Sequence, residues 1–568
     1  MATVSLNDVL DGIEEQIAEF ADVTAVVVEP PEVRIDTDED SGDEEAADPA
    51  RLTGPQLAAP AEIISRDVVD EPVTSKRTWS FKKGASTSGL SIFPEGDFRS
   101  YKDMMPHEMF ELFFTSDLFQ HIQQQIGLYC AFKGKPDPHV TIEELKVFLG
   151  ILILSGYACF PRRRMYWEES PDVGNNLVRN AMRLNRFEKI MEVLHFQDNT
   201  KLDSDDRFCK LRGVSDYLEQ QFMKHFVPTQ NLSHDEALVE YFGRHSCKQH
   251  IIQKPIRFGY KIWCLNTPSG YCVAFNFYQG KHGKRNEELV KQFGKSAATV
   301  LELLDKLPPQ IAKLPFHICF DNLFTSLDLL AEIQRRGYHG TGTIRGNRLP
   351  KVNKLTDISA SKKKPKGTME EVTAVSSGSE VAVVRWMDNN VVTAASTAFA
   401  ATPAGSVKRF SRKDKKKTDV PAPAAILAYN QGMGGTDRQD QNVNKYRVAM
   451  RGKKWWWALW TWLIDVTVQN AYDLARNAGS PSSEDQLEFR RAIARFYLQH
   501  YGSLRSGKGR PRSDDPTATE LRYDGRDHVI QRSAKRRVCA HCRGRPSYEC
   551  AKCNVGLCTG CFAVFHTR

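Results

Sequence analysis

The chain has 568 residues, enough for about three or four domains, and 78 Lys+Arg against 70 Asp+Glu give it a net charge of +8. It has no secretory hydrophobic region and no apolar run of about 18 residues, so we expect neither a signal peptide nor a membrane span. Residues 36–48 are rich in Asp and Glu. Because acidic segments with few apolar residues cannot bury enough surface to fold, we expect most of 1–95 to be disordered.

Residues 98–228 carry apolar side chains at helical spacing, for example over 142–157 and 187–196. The pattern alone predicts a helical packing layer. Seven of the thirteen cysteines are scattered through the chain up to residue 319, often within apolar runs. Scattered, buried thiols are typical of proteins from a reducing compartment.

The segment 235–344 predicts a sheet with two helices, because runs rich in β-branched and aromatic residues alternate with runs at helical spacing. The predicted elements are strands at 235–242, 260–265 and 271–278, a helix at 289–304, a strand at 316–321, a helix at 323–336 and a strand at 338–344. Asp235 heads the first strand and Asp321 ends the fourth. The order β-β-β-α-β-α-β, with carboxylates on the first and fourth strands, indicates an α/β fold with a ribonuclease-H-like nucleotidyl-transfer core.

A long interruption, 351–428, separates this core from a third acidic segment. Basic runs at 362–366 and 408–417 flank a predicted β-hairpin, whose strands 380–387 and 391–395 join at Asp388-Asn389-Asn390. Lysine clusters of this kind are usually solvated loops, while a nuclear-import signal and a phosphate-contacting surface are the two other interpretations. All three can hold together.

Asp437 and Asp440 follow the interruption, three residues apart and so on one side of a predicted helix. Glycines at 434 and 435 would let the backbone approach a site closely. For any one of the four aspartates alone, a strand-end or helix-cap role is the competing interpretation. The aromatic run that follows, 453–465, could stack on bases, but its apolar side chains fall on one helical face, which favours packing in the core or a dimer.

The C-terminal segment pairs a basic stretch with a cysteine-rich one. Arg510-Pro511-Arg512 resembles an AT-hook, in which such a tripeptide lies in the A·T minor groove, and a flexible linker is the alternative. Three Cys-x2-Cys pairs and a terminal histidine predict zinc binding; the residues are Cys539, Cys542, Cys550, Cys553, Cys558, Cys561 and His566. They fill one tetrahedral site and leave three ligands for another, with His541 as the candidate eighth ligand of an interleaved pair. A protein-binding zinc module is the alternative to a DNA-binding one.

Several independent motifs, in the same order, make the chain resemble the piggyBac-type transposases from about residue 95 onwards. They are Asp235-Glu236, Phe242-Gly243-Arg244, Lys248-Gln249, Lys254-Pro255, Phe258-Gly259-Tyr260-Lys261, Asp321-Asn322 to Ser326, Gly342 to Arg345, and Tyr429-Asn430-Gln431 with Gly434 to Gln441. The resemblance implies a cut-and-paste DNA transposase that forms hairpins at the transposon ends and inserts at TTAA. A domesticated, catalytically silent nuclear DNA-binding protein is the alternative.

The same resemblance implies a domain plan. A helical dimerisation and DNA-binding domain occupies 96–228 and 453–502, and the ribonuclease-H-like domain occupies 229–350 and 429–452, split by the insertion 351–428. A basic linker, 503–537, leads to a cysteine-rich zinc-binding domain, 538–568. The expected partners are double-stranded DNA with terminal inverted repeats and a second copy of the chain, and the expected location is the nucleus.

It also implies the chemistry of the site. Two Mg²⁺ (or Mn²⁺) ions about 3.5–4 Å apart stabilise the attacking and leaving oxygens of an in-line displacement at phosphorus. Asp235 would bridge the ions, Asp321 and Asp437 would each complete one, and Asp440 would support them. Arg244, Lys254, Lys261 and Arg345 would contact DNA phosphates, with surface solvation as the alternative for each. Two Zn²⁺ ions would occupy the C-terminal module.

Overall fold

The computed structural model describes residues 77–84, 87, 89–241, 258–280, 286–411, 415–481, 485–503 and 522–567, and the backbone of four strands outside these ranges. The chain forms two compact units, Met1–Ser503 and Leu504–Arg568. No helix within the described ranges has both the length and the apolar content needed to cross a bilayer.

Helices account for most of 106–224 and 424–500 in the first unit. In chain order the helices are α1 (Pro106–Glu111), α2 (Ser116–Phe132), α3 (Ile142–Ser155), α4 (Asn176–Ala181), α5 (Leu184–Val193), α6 (Cys209–Lys224), α7 (Glu287–Phe293), α8 (Lys295–Asp305), α9 (Leu327–Arg335), α10 (Ile358–Ser361), α11 (Ala424–Gly432), α12 (Gly435–Lys445), α13 (Trp457–Asn477), α14 (Gln486–His500) and α15 (Thr559–His566). Local signals start several of them. The Thr141 hydroxyl accepts from the Glu144 N–H while the Glu144 carboxylate accepts from the Thr141 N–H, a capping box before α3.

The described backbone contains eighteen strands. They are β1 (Val4–Ser5), β2 (Val23–Val28), β3 (Pro60–Ser65), β4 (Ser80–Lys83), β5 (Asn231–Glu240), β6 (Lys248–Ile251), β7 (Phe258–Asn266), β8 (Cys272–Phe277), β9 (His317–Phe320), β10 (His339–Thr343), β11 (Met369–Ser376), β12 (Ser379–Met387), β13 (Val391–Ser396), β14 (Gly405–Ser411), β15 (Lys416–Ala422), β16 (Ile530–Arg532), β17 (Tyr548–Cys550) and β18 (Val555–Gly556). The predicted mixed α/β fold is confirmed.

One mixed sheet of thirteen described strands runs through the first unit. At its centre the spatial order is β8-β7-β5-β9-β10. β7 is antiparallel to both β5 and β8, whereas β9 is parallel to β5 and β10 is parallel to β9. The five strands predicted from the sequence are therefore neighbours, and the two that carry Asp235 and Asp321 are directly paired.

The insertion extends this sheet. β13 pairs antiparallel with β10, and β12 and β11 continue outwards, while β14 and β15 form a separate two-stranded ribbon. The predicted hairpin is confirmed as β12 and β13. The sequence did not predict β11, β14 and β15, whose Lys, Glu and Ser content hides the alternation of the strands.

Part of the segment expected to be disordered is ordered. Strand β4 pairs antiparallel with β11, and two buried aromatic side chains anchor it, Trp79 just before the strand and Phe81 within it. The Trp79 indole N–H donates to Asp328 of α9 at 3.1 Å. The expectation of disorder is therefore wrong for residues 77–84, which have apolar anchors; most of 1–76 lies outside the described residues.

A second correction concerns the helix predicted over 289–304. It is two helices, α7 and α8, because Gly294 between them adopts a φ of +86°. A left-handed conformation of this kind ends a helix and suits glycine. α8 packs on β7 and β8, and α7 packs on α8, so both helices keep an apolar side across the break.

The tryptophan-rich run forms the start of α13 and its preceding turn. Trp455, Trp456, Trp457, Trp460 and Trp462 are all buried. The Phe196 ring lies 4.9 Å from that of Trp456 and 4.5 Å from that of Trp460. Packing in the core, rather than base stacking, therefore explains these side chains. The apolar contacts surround the helix instead of following one face, as expected for a fully buried helix.

Candidate carboxylate site and zinc sites

Asp235 and Asp321 come together through the parallel pairing of β5 and β9. His234 lies opposite Phe320 in the register, so the next residue on each strand is one of the two aspartates. Paired strands lie about 4.8 Å apart, and side chains alternate between the faces of a sheet. Asp235 shares its face with Ser233, and Asp321 follows Cys319 on that same face. The two carboxylates are therefore neighbours, with Asp321 just after the end of β9 and Asp235 in the middle of β5.

Local hydrogen bonds hold Asp321 at the strand end. Its Oδ1 accepts from the Leu323 N–H at 2.7 Å, and its carbonyl accepts from the Thr325 hydroxyl at 2.7 Å. Burial raises the pKa of Asp321, and the nearby Glu236 carboxylate raises it further, while the Leu323 N–H and the charges of Arg345 and Lys261 oppose the rise. A half-buried carboxylate with another acid close by favours a compensating cation.

The start of α12 covers the same face of the sheet. The Thr436 hydroxyl donates to Asn266 Oδ1 at 3.0 Å, and Asn266 Nδ2 donates to Gln439 Oε1. Asn266 ends β7, so this buried amide fixes the first turn of α12 to the strand beside Asp235. A side chain on Gly435 would clash with the Ser233 hydroxyl and the Thr267 carbonyl, which explains the glycine there.

The two helical aspartates differ in their surroundings. Asp440 is half-buried. Burial and the neighbouring Cys272 raise the pKa of Cys264, and the charges of Asp440 and Asp235 raise it further. Cys264 lies opposite Asp235 in the register of β5 and β7. Asp437 is exposed on the helix surface. Among the described residues, no three of these carboxylates have oxygens all within 4.8 Å of one another. Asp440 thus lies near Cys264, beside Asp235, whereas Asp437 is open to solvent.

Tyr429 is a site residue to which the sequence analysis gave no role. It lies on α11, and burial raises its pKa well above the usual range, with the charges of Asp321 and Asp235 adding to that rise. A hydrogen bond with Thr343 opposes the rise, and the effect of the two aspartates shows that the phenol lies near both carboxylates. The signal was present in the motif Tyr429-Asn430-Gln431, but only the fold brings α11 beside the strand ends.

Two of the six basic residues expected to contact DNA, Lys261 and Arg345, can be placed. The Lys261 ammonium lies 4.0 Å from the centre of the Trp263 ring, and Arg345 Nε donates to Asn322 Oδ1 at 3.0 Å. Both charges lower the pKa of Asp321, so both lie near the carboxylate site. Arg244, Lys254, Arg510 and Arg512 lie outside the described residues.

The second unit groups its cysteines and histidines into two clusters. One contains Cys539, Cys542, Cys558 and Cys561, and the other contains His528, Cys550, Cys553 and His566. Along the chain the clusters interleave. The Cys542 and Cys558 sulfurs are 3.6 Å apart, and His528 Nδ1 is 3.5 Å from both the Cys550 and Cys553 sulfurs. Ligand atoms of a tetrahedral zinc lie roughly 3.5–3.8 Å apart, given Zn–S of about 2.3 Å and Zn–N of about 2.0 Å. Both clusters could therefore hold zinc.

Outer hydrogen bonds orient both histidines. His528 directs Nδ1 to the cysteines while its Nε2 lies 3.1 Å from Asp524 Oδ1, and His566 directs Nε2 to Cys553 while its Nδ1 lies 2.9 Å from the Phe562 carbonyl. Metal-binding histidines in proteins usually make such a second contact. The donor set and its support thus fit zinc.

The eighth ligand named from the sequence is wrong. His541 is exposed and belongs to neither cluster, whereas His528 completes the second one. His541 lies inside the two-residue spacer between Cys539 and Cys542, on the outside of a turn whose thiols both point inward. His528 stands eleven residues before the first cysteine, where spacing alone gives no signal.

The chain is similar to a known family model, to known proteins and to a solved structure. The family model described as transposase IS4 matches residues 105–472. The human PiggyBac transposable element-derived protein 3 is 37% identical over 607 aligned residues, covering 100% of both chains, and the human PiggyBac transposable element-derived protein 2 is 34% identical, covering 94% of this chain and 91% of its own. The cryo-EM structure of a piggyBac transposase synaptic complex with hairpin DNA matches with a TM-score of 0.59 and 20% identity, covering 82% of this chain and 100% of that one. The last comparison concerns the fold.

Proposed function

Because this chain belongs to the piggyBac-type transposase family, we propose that it is a metal-dependent DNA transposase that cleaves transposon ends and joins them to target DNA. The observation that carries the proposal is the pairing of β5 with β9, which sets Asp235 beside Asp321 under the first turns of α12. The strand order β8-β7-β5-β9-β10, with only β7 antiparallel to its neighbours, supports a ribonuclease-H-like core.

The donor set suits Mg²⁺ or Mn²⁺, since Asp235, Asp321, Asp437 and Asp440 offer only hard carboxylate oxygens. Bound ions would stabilise the charge that builds on the attacking and leaving oxygens at phosphorus. The chain's own residues position these acids: Asn266 fixes α12, the Leu323 N–H orients Asp321, and the Tyr429 phenol lies near Asp321 and Asp235.

Finer features follow the family resemblance. The helical layer, α1–α6 with α13 and α14, would form the dimer and grip the transposon ends, and the zinc module would recognise terminal DNA. Hairpin formation, insertion at TTAA and action in the nucleus belong to the same proposal.

The test is Mg²⁺-dependent nicking of a duplex that carries the element's own ends, by the purified protein. Asp235→Asn, Asp321→Asn and Asp437→Asn are nearly isosteric, so each should bind DNA but lose strand cleavage by several orders of magnitude. Groups that act as one unit are strongly non-additive, so a double variant should be little worse than a single one. Asp440→Asn should be milder if it only supports the ions.

Glu95→Gln, at an exposed position outside the carboxylate site and the helical layer, is the matched control and should nick like the wild type. Nicking at the wild-type level by Asp321→Asn would refute the metal assignment. Absence of nicking by the unmutated protein on its own ends would favour the second candidate function.

That second candidate is a domesticated DNA-binding protein that keeps the fold without the reaction. Two observations favour it: the similar human proteins are described as transposable element-derived, and the carboxylates do not converge to within 4.8 Å as a set of three among the described residues. A DNA-binding protein of this kind would retain end binding and zinc content in every Asp→Asn variant, with no cleavage to lose.

A further inference from the structure

The β14–β15 ribbon of the insertion has two different faces. Val407 and Val420 are paired in the register and lie on its inner face, against Trp386. The outer face alternates with them and carries two further pairs, Phe410 with Lys417 and Lys408 with Asp419. All four outer side chains are exposed.

The inner face anchors the ribbon to the insertion. Arg409 Nε donates to Asp388 Oδ2 at 2.9 Å and to Oδ1 at 3.1 Å, and the Trp386 indole N–H donates to the Pro421 carbonyl at 2.8 Å. The Arg409 guanidinium also lies 5.9 Å from the centre of the Trp386 ring. Because this side is fixed by charged and aromatic contacts, the ribbon presents its outer side in one orientation.

The outer side combines a large aromatic ring with positive charge. Phe410 is 60% exposed although most other phenylalanines of the described chain are buried or packed against the core. Lys408 and Lys417 flank it, Lys415 and Lys416 add charge at the tip, and Asp419 is the one acid on the described part of this face. An exposed ring among ammonium groups is complementary to a polyanion that also offers apolar surface. Duplex DNA has both features, and its major groove admits a two-stranded ribbon.

The ribbon is directly connected to the carboxylate site. Ala422 ends β15 and α11 begins at Ala424, and α11 carries Tyr429 towards Asp321 and Asp235. The ribbon strands are about 20 Å long at roughly 3.3 Å per residue, and α11 is about 13 Å long at 1.5 Å per residue. The described start of β15 therefore lies within roughly 35 Å of Tyr429, about one turn of a duplex.

We propose that the outer face of this ribbon binds duplex DNA next to the cleavage site, with Lys408 and Lys417 on phosphates and Phe410 against thymine methyl groups in the major groove. The choice of DNA as the partner rests on the proposed function, but the inference does not require that the protein cleaves DNA. An import receptor, which would bind the lysines alone, is the competing partner.

The lysines are tested through the salt dependence of DNA affinity, using the full chain and a 40-base-pair duplex of alternating A·T pairs. Lys408→Ala with Lys417→Ala should flatten the log–log salt slope by about 2, since each lost phosphate contact removes about 0.9. The matched control is Lys362→Ala with Lys363→Ala, an exposed pair elsewhere on the insertion, which should leave the slope unchanged. Equal slopes for wild type and ribbon variant, or an equal loss in both double variants, would overturn the proposal.

Phe410 is tested with the same duplex and its uracil counterpart, which lacks only the methyl groups. Wild type should bind the thymine duplex about fourfold more tightly, the equivalent of one buried methyl group, and Phe410→Ala should bind both duplexes alike. Val352→Ala, which shortens a side chain of the insertion that is 64% exposed, should retain the preference. A preference that survives Phe410→Ala would exclude the ring from the groove and overturn the proposal.

The proposed function and this inference fail separately. If the protein never nicks DNA but shows the expected differences in salt slope and in thymine preference, the transposase proposal is refuted and the ribbon proposal stands. If the protein nicks its ends but the ribbon variants bind DNA like the wild type and are no longer found in the nucleus, the ribbon proposal is refuted. That result would support an import receptor as the partner of the lysines.

Discussion

Single residues decide whether the cysteine-rich module can hold two metal ions. His528 and His541 are both close to the Cys-x2-Cys pairs in sequence, but only His528 points a ring nitrogen at Cys550 and Cys553. The Asp524 carboxylate on its other nitrogen fixes that orientation.

His528→Ala should therefore lower the zinc content from two ions per chain to one, because three remaining ligands leave the second site open. His541→Ala is the natural control and should retain two, since that side chain is exposed. Zinc per chain, measured by elemental analysis of purified protein, distinguishes the two. A loss in His541→Ala with full content in His528→Ala would restore the assignment made from spacing.

Whether a site residue could be predicted from the sequence depends on how far along the chain its partners lie. Asp235 and Asp321 could be predicted because each stands beside an apolar run that marks its strand. Tyr429 and His528 could not be predicted, because their roles arise from contacts with residues more than twenty positions away, across a helix or a turn. Periodicity reports only which side of its own element a residue occupies.

At the scale of elements, Asn266 joins the end of β7 to the first turn of α12. Its amide accepts from Thr436 and donates to Gln439, and these residues flank Asp437. Asn266→Ala leaves two buried polar groups without this partner, which costs about 1–3 kcal/mol. We expect the first turn of α12 to loosen and the Mg²⁺ concentration for half-maximal nicking to rise severalfold, with zinc content unchanged.

The control for that variant is Asn390→Ala, at an exposed turn of the insertion. A positioning role predicts that saturating Mg²⁺ restores most of the nicking rate of Asn266→Ala. A rate that stays low at every Mg²⁺ concentration, with normal thermal stability, would show instead that Asn266 acts on the reaction itself.

The contact between α13 and the β7–β8 turn makes a second element-scale prediction, for pH. Asp473 on α13 is 4% exposed, and its carboxylate accepts from the Ser269 hydroxyl and from Asn477. Burial raises its pKa to about 6, although Ser269, Arg476 and Asn477 oppose the shift. The folded protein thus holds this proton more tightly than the unfolded chain, whose aspartates titrate near pH 3.9. Stability from this group is present below about pH 4 and is lost as the pH rises through about 6.

Asp473→Asn should remove that loss, so the difference in unfolding free energy between variant and wild type should grow in favour of the variant between about pH 4 and pH 6. The limit is about 3 kcal/mol, from the size of the shift. Chemical unfolding at several pH values measures it, with the exposed Asp205→Asn as control. Parallel curves for the variant and wild type would mean that Asp473 is already ionised in the folded state at low pH.

Strands and helices could be predicted where the spacing of apolar residues follows the element along its whole length. They could not be predicted where a local feature changes the backbone but not the apolar spacing. Strands β7 and β8 were predicted from apolar runs that are long and bounded by turns, whereas β10 consists mostly of glycine and threonine and is confirmed as a short strand. The helix over 289–304 was predicted whole because Gly294 breaks the backbone without breaking the apolar spacing. The ribbon β14–β15 was not predicted because Lys, Arg and Ser outnumber its inner apolar residues, Val407 and Val420, so its sequence shows no clear apolar run.

At the scale of the whole molecule, each of the two units is stabilised by a different kind of core. The unit Met1–Ser503 contains one large apolar core. The unit Leu504–Arg568 has a core of Cys539, Cys550, Leu557 and Phe565 in its described part, and two of these four are candidate zinc ligands. A core this small rarely folds without disulfides or metal, so the binding energy of zinc is also its folding energy.

Removal of zinc by a strong chelator should therefore unfold only the second unit. The module thiols, such as Cys542 and Cys558, should become reactive to a thiol reagent, whereas Cys264 and Cys319, buried in the first unit, should stay protected. The main thermal transition should keep its midpoint, since no zinc-type cluster occurs among the described residues of the first unit. Mass spectrometry of the labelled peptides, with scanning calorimetry of the same samples, makes the measurement, and re-addition of Zn²⁺ should restore protection. Protected module thiols after complete chelation would mean that the module folds on apolar contacts alone, and a lower main transition would mean that zinc also stabilises the first unit.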